Sequence, residues 1–244
     1  MTWKRARNDD QIEQRRRAIL EATSRLFSMR DYADITFSRI ALEAGVAKSN
    51  IYRYFESKEA IFAQLLVEEL EFWAERFVSA AAAVPEGDVE LFCRATLRTA
   101  QTSSRFLELI SIKASIIDRH ISVETALHYR QQVRDRVKPA IVATMRIFPG
   151  MTPQQADELF TVQQALLAGF YPMQATNEAL RGVCEERNLG HLVTDVTQTL
   201  ERTLLHVING AVQNYCLETE QSNPPDKPLL TNILHKNRGT GARW

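Results

Sequence analysis

The sequence predicts an all-α protein, and three observations predict it. Glycine (9) and proline (8) are scarce in 244 residues. No window alternates apolar and polar residues between hairpin turn signals. Apolar residues instead recur at a period of about 3.6 along most of the chain. The composition, 45% hydrophobic and 25% charged, is that of an ordinary globular protein. No stretch approaches the roughly 18 uninterrupted apolar residues of a membrane span. The start, Met1-Thr2-Trp3-Lys4-Arg5-Ala6-Arg7, leads into more charge rather than an apolar run, so no secretory signal is expected. Three scattered cysteines, Cys93, Cys184 and Cys216, are too few for a disulfide framework. The expectation is a soluble, intracellular, core-forming chain.

The elements follow in order. Ile12, Ile19, Leu20, Thr23, Leu26 and Phe27 share one face of a first helix. Thr36 is a good N-cap for a short helix presenting Phe37, Ile40, Ala41 and Ala44. Gly45 ends that helix, and a third runs to about Tyr54. Ser57 caps a long helix with the stripe Phe62, Leu66, Trp73, Phe77 and Ala80, stopped at Pro85-Glu86-Gly87. Helical patterns then cover residues 88–102, 104–119, 122–147, 153–175, 177–187 and 191–217. From Gln221 the chain reads as a flexible tail rich in proline and glycine. The domains expected are a flexible arm at 1–12, an N-terminal three-helix unit at 13–58, a helical body at 59–220 and a flexible tail at 221–244.

Zero net charge hides an asymmetry. Residues 1–58 carry 12 basic against 8 acidic side chains, residues 59–220 carry 14 against 21, and the last 24 carry 4 against 1. A basic end on an acidic body suits a protein that meets phosphate at that end only. The same end carries a motif. Residues 36–55 read as helix, tight turn through Gly45, and second helix, with Ile40, Ala41, Val46 and Ile51 spaced to pack the two together. Glycine takes positive φ without steric cost. The second helix leads with Lys48-Ser49-Asn50, followed by Tyr52, Arg53 and Tyr54. The leading residues of such a helix meet base edges in the major groove. There lysine donates to guanine and asparagine pairs with adenine.

Residues 13–62 resemble the DNA-binding domain of the TetR (tetracycline-repressor) family of bacterial transcriptional regulators. The resemblance runs from Ile19-Leu20-Glu21-Ala22 through Leu26-Phe27, Tyr32, Thr36, Ile40-Ala41 and Ala44-Gly45-Val46. It ends in Ile51-Tyr52-Arg53-Tyr54-Phe55 and Ser57-Lys58-Glu59-Ala60-Ile61. Asp31 stands where the family usually has glycine, a position for which aspartate tolerates left-handed backbone. Ala47 stands where a serine or threonine hydroxyl is frequent. The resemblance implies that Lys48, Ser49 and Asn50 face bases. It makes Thr36, Tyr52, Arg53, Tyr54 and Lys58 phosphate or groove contacts. Thr36 serves equally as a cap, and Phe55 reads as core. Lys4, Arg5 and Arg7 are either a minor-groove arm or a solvated start.

For the body, the resemblance implies a divergent helical ligand-binding and dimerisation domain. Its last two long helices, about 153–175 and 191–217, would pair with a second copy. Leu159, Val162, Leu166, Leu167 and Phe170 form the stripe of one. Val193, Val196, Leu200, Leu204, Val207, Ile208, Ala211 and Tyr215 form a wide stripe on the other. Candidate pocket walls are Trp73, Phe92, Phe106, Ile110, Tyr129 and Met145, continued by Phe160, Phe170, Tyr171 and Met173. His120, His128 and Gln163 are candidate polar groups among them. Residues of this kind are core more often than pocket. The step Phe170-Tyr171-Pro172 is expected to kink its helix.

Cysteine and histidine show no metal-ligand spacing, and no catalytic motif is present, so neither cofactor nor enzyme activity is expected. The function expected is a dimeric, cytoplasmic, nucleoid-associated repressor. It would bind an inverted-repeat operator on double-stranded DNA and be released by a small-molecule effector. An activator or corepressor-dependent regulator of the same fold, or an architectural DNA binder, is the alternative.

Overall fold

The computed structural model describes residues 2–220, and every regular element among them is helical. Met1 and the expected tail at 221–244 lie outside the described residues.

Helix α1 (Thr2–Phe27) runs through residues 2–12, the segment read as a flexible arm. The physical reason is local: no glycine or proline interrupts residues 2–28, and Arg, Gln, Glu and Ala favour helix. A 3-10 turn at Tyr32–Asp34 leads to α2 (Phe37–Glu43), whose cap Thr36 accepts from the Arg39 amide at 3.3 Å. Asp31 is extended (φ −63°, ψ 150°), so the turn asks no left-handed residue there, contrary to expectation. Helix α3 (Lys48–Ile51) is a single turn, and Tyr52–Tyr54 continue it as non-α turns rather than as helix. Helix α4 (Lys58–Ala81) is capped by Ser57, which accepts from the Ala60 amide at 3.1 Å.

The body continues with α5 (Val89–Gln101), α6 (Ser104–Lys113), α7 (Val123–Ile147), α8 (Pro153–Glu186) and α9 (Val196–Glu220). Asp88, Ser103, Ser122 and Thr152 cap α5 to α8, the last in a reciprocal box with Gln155. The pattern read at 104–119 breaks after Lys113, and a 3-10 turn at Ile117–Arg119 follows. The patterns at 153–175 and 177–187 fuse into one 34-residue helix despite Pro172. A proline costs one ladder hydrogen bond and clashes with the preceding turn. Here α6 and α9 pack against α8 and hold it through the defect.

Helix α4 is the spine. Phe62, Leu66, Leu70, Trp73 and Phe77 are buried along it, and it meets α1, α5, α6 and α7. One core therefore runs from the N-terminal unit into the body. Phe62 meets Phe27 and Tyr32 edge-on, with centroids 5.1 and 4.8 Å apart. Thr23, wholly buried on α1, satisfies its hydroxyl on the Ile19 carbonyl at 2.8 Å. Rings so placed stabilise by about 0.5–1.5 kcal/mol per pair beyond their buried area.

Candidate nucleic-acid interface

The turn between α2 and α3 is built by backbone. Gly45 has φ +65°, its amide donates to Leu42 at 3.2 Å, and the Val46 amide reaches the Ala41 carbonyl at 3.0 Å. This doubled closure satisfies the carbonyls at the end of α2, and its left-handed residue favours glycine. Ile40 and Ile51 are fully buried, and Val46 packs against the same core. Lys48, Ser49 and Asn50 are all exposed at the start of α3, as is Arg53 beyond it. Tyr52 is 56% exposed and leans on Phe37 with centroids 4.9 Å apart, so it belongs to the surface. Phe55 is core. Tyr54 is half-buried, and its carbonyl accepts from Arg16 at 2.8 Å, while that guanidinium lies 4.5 Å from the Phe55 ring centre.

Lys58 is turned inward. Its ammonium donates to the carbonyls of Tyr32 (3.0 Å) and Ile35 (2.9 Å) and sits 3.7 Å from the Tyr32 ring centre. Burial pulls its pKa below the ordinary lysine value, with Glu59 opposing. The hydroxyl of Tyr32 donates to Glu59, and burial together with that carboxylate raises its pKa. Lys58 thus closes the turn that follows α1.

Two ties missed by sequence reasoning join this unit to the body. Glu56 accepts from the Ser122 amide at 2.8 Å, which lowers its pKa. Glu69, 4% exposed on α4, holds Ser103 at 2.8 Å and Arg105 at the start of α6, and Arg105 also reaches Ser24 on α1. Both span dozens of residues, and no spacing rule signals such contacts. Arg16 had a faint signal, the basic run Arg15-Arg16-Arg17 on one helix.

The candidate pocket walls divide. Trp73 packs against Phe77, Phe106 and Phe160 at centroid separations of 5.2, 6.0 and 5.3 Å, and Phe92 against Phe77 and Phe148. Ile110 and Gln163 are buried, and Met145 is half-buried against the same core. His120 and Met173 are exposed, His120 sitting 2.7 Å from the Ile116 carbonyl. Space lies elsewhere. A cavity of about 750 Å³ opens between α1, α4 and α7 and takes in Tyr129 and His128. A groove of about 490 Å³ lies beside Pro172, lined by Tyr171, whose hydroxyl meets Glu108 at 3.3 Å. Phe170 and Tyr171 also border a cleft of about 30 Å³ between α5, α6, α8 and α9. Among the described residues, no group of three or more histidine, cysteine or acidic side chains could hold a metal ion. No helix there is long and apolar enough to cross a membrane.

A glycine-turned helix pair with an exposed polar leading edge, set on a helical body, is the build of a DNA-binding transcriptional regulator. A family model described as bacterial regulatory proteins, tetR family, matches residues 19–65. A second, for the tetracyclin repressor-like C-terminal domain, matches residues 67–214, more than half of the chain. The chain belongs to the tetR family of regulators. An uncharacterized HTH-type transcriptional regulator of Bacillus subtilis, YdgC, is 42% identical over 57 residues, 23% of this chain and 29% of that protein. The Fatty acid metabolism regulator protein of Bacillus subtilis is 26% identical over 136 residues, 54% of this chain and 63% of that one. The chain thus matches less than two thirds of either relative's length. Among solved structures, the TetR family repressor AlkX of Dietzia, implicated in biodegradation of n-alkanes, has the same fold. The TM-score is 0.50 at 16% identity, covering 82% of this chain and 95% of that one.

Proposed function

We propose that the protein is a dimeric, ligand-responsive repressor that reads an inverted-repeat operator. The observation that carries this reading is the exposed edge Lys48-Ser49-Asn50, presented by a one-turn helix whose neighbours are fixed by the Gly45 turn and the buried Ile51. In this reading Lys48 and Asn50 meet base edges, each good bidentate contact being worth about 1–3 kcal/mol of discrimination. Ser49 faces the bases between them, Tyr52, Arg53 and Tyr54 hold the register on phosphates, and Thr36 combines capping with a backbone contact. Lys58 is assigned a structural role instead, because its donors already serve carbonyls.

Dimerisation is read from α8 and α9. Leu167, Leu200, Leu204 and Ile208 face the core, while Val162, Leu166, Phe170, Leu205 and Val207 remain half-buried. The exposed Ala165 and Gly169 permit close approach of a second copy. Two readers one DNA turn apart then recognise an inverted repeat that one α3 alone holds weakly. A small molecule acts by moving α4, the element shared by the reader and the body.

The test is selection of binding sites from random duplexes with the full chain and an Asn50→Ala control. An inverted repeat that the control no longer prefers supports the reading. Equal losses on selected and random DNA for Asn50→Ala refute its assigned role.

A further inference from the structure

We propose that the cleft between α1, α4 and α7 is an effector site for an organic cation with an apolar, ring-bearing body. This rests on the reading of the protein as a ligand-responsive regulator, and it places the ligand at the junction of reader and body instead of in the aromatic core. At about 750 Å³ the cleft has the size of small-molecule sites. The stack around Trp73, by contrast, is filled by its own rings.

The charge of the lining selects the ligand. Five carboxylates face three guanidiniums. Each guanidinium already has an acidic neighbour: Arg16 with Glu13 at 3.9 Å, Arg17 with Glu68 at 2.8 Å, and Arg136 with Glu71. The excess falls on Glu56 and on Glu124, which stands exposed in the first turn of α7. An anion entering here meets a net negative wall, whereas a cation completes it. The apolar part of the wall suits the same ligand. Phe55 already takes the Arg16 guanidinium on its face, and the half-exposed Phe72 stands at the lining. Ring faces attract cations through their quadrupole.

An independent observation is Tyr129. It lines the cleft, is 4% exposed, and its buried hydroxyl has no hydrogen-bond partner. Buried polar atoms normally find partners, so the unmatched hydroxyl of a residue that lines the cleft is one that a polar group of an occupant satisfies when the Tyr129 ring turns toward it. The cleft also touches Tyr54 and Glu56, at the end of the reading unit. An occupant that engages Glu56 competes with the Ser122 amide, and one that stacks on Phe55 competes with Arg16. Either event alters how the reader is tied to α7 or α1, so ligand and DNA affinities become coupled.

The probe is tetraphenylphosphonium, with tetraphenylborate as a control of the same shape and opposite charge. Binding to the full chain is followed by equilibrium dialysis. Expected is saturable binding of the cation only, weakened about fivefold or more by Glu124→Lys at its exposed position. Thr125→Trp, which fills the cleft, abolishes binding while the helical circular dichroism stays native. Saturating cation changes operator affinity by about fivefold or more, the low end of typical coupling. Equal binding of the borate, or cation binding untouched by both substitutions, overturns the proposal. So does absence of cation binding by a folded protein that still selects an inverted repeat, and that result leaves the regulator reading intact. Cation binding by a protein that selects no DNA keeps the site and removes the regulator reading.

Discussion

Replacing Lys58 by methionine separates two accounts of one residue, because it keeps the aliphatic stem and removes the charge. If Lys58 closes the turn after α1, the loss is structural. A hydrogen bond involving a charged group contributes about 1.5–3 kcal/mol net, and a ring contact of this kind about 0.5–1 kcal/mol. The ammonium makes two such bonds, to Tyr32 and Ile35, and one ring contact. The site is only half-buried, and the lowered pKa shows that desolvation offsets part of the gain. The contacts are also not additive. The expected cost is therefore about 2–3 kcal/mol, or roughly 4–12 °C in melting temperature for a chain of this size.

The decisive assay is DNA affinity against salt concentration. Each lost phosphate contact flattens the slope of log affinity on log salt by about 0.9. Lys58→Met should melt earlier and keep the wild-type slope. A variant of unchanged stability whose slope drops by about one refutes the structural account and restores Lys58 to the phosphate. The alkaline limb gives a second check. The folded pKa lies below the ordinary 10.5, so the unfolded chain binds more protons between the two values. Wild type then gains stability relative to Lys58→Met as pH rises through that window.

Three further outcomes follow from other sites. Gly45→Ala should cost about 1–2 kcal/mol in urea titration, because an added Cβ meets no atom within 4 Å and only the left-handed backbone (φ +65°) objects; Gly45→Asn should cost less, and equal costs would count against the backbone argument. Glu56 has a lowered pKa, so its link to the Ser122 amide is present above the unfolded carboxyl value and lost as pH falls through the folded one. Thermal melts from pH 7 to 3 should show that acid-side loss in wild type and not in Glu56→Gln. The Cys93 thiol is buried and pushed up to about 12 by desolvation, so it should resist alkylation at pH 8 until urea unfolds the chain, and fast labelling of the native protein contradicts its burial.

The elements readable in advance were those whose cause is local. Thr36, Ser57 and Gly45 act within a few residues of themselves, and each performs as its side chain or lack of one dictates. The stripe Phe62, Leu66, Trp73 and Phe77 of α4 was legible from its period, whereas the burial of Ile61, Ala63, Leu65 and Val67 beside it comes from the several helices packed around α4. The break read between 175 and 177 misled because a local pattern does not see that α6 and α9 pack along α8, which runs on as one helix with Pro172 inside it. Asp31 misled for the opposite reason, since the chain took a turn that asks nothing special of it. The exposure of Lys48-Ser49-Asn50 at the start of α3 was legible to the residue, whereas the carbonyl partners of Lys58 were not. Residue type and position suit a lysine there for phosphate, and only the fold brings the Tyr32 and Ile35 carbonyls to it.

The same distinction bears on the proposed switch. The edge Lys48-Ser49-Asn50 proposed to read DNA is set by sequence-local geometry, which no distant ligand can easily alter. Beside the apolar core, the polar attachments of that edge are long-range and charged: Arg16 to the Tyr54 carbonyl, Glu56 to the start of α7, and Glu69 with Arg105 and Ser24 across α4, α6 and α1. Glu69 is buried while Arg105 stays 39% exposed, so Arg105→Met, which leaves the buried carboxylate without its guanidinium, should cost up to about 3 kcal/mol, whereas replacing both by methionine should cost far less. If the double replacement keeps stability and operator preference but loses the response to effector, the attachments carry the switch. If it keeps the response as well, the signal passes through the apolar contacts of α4 alone, and the charged ties only hold the fold.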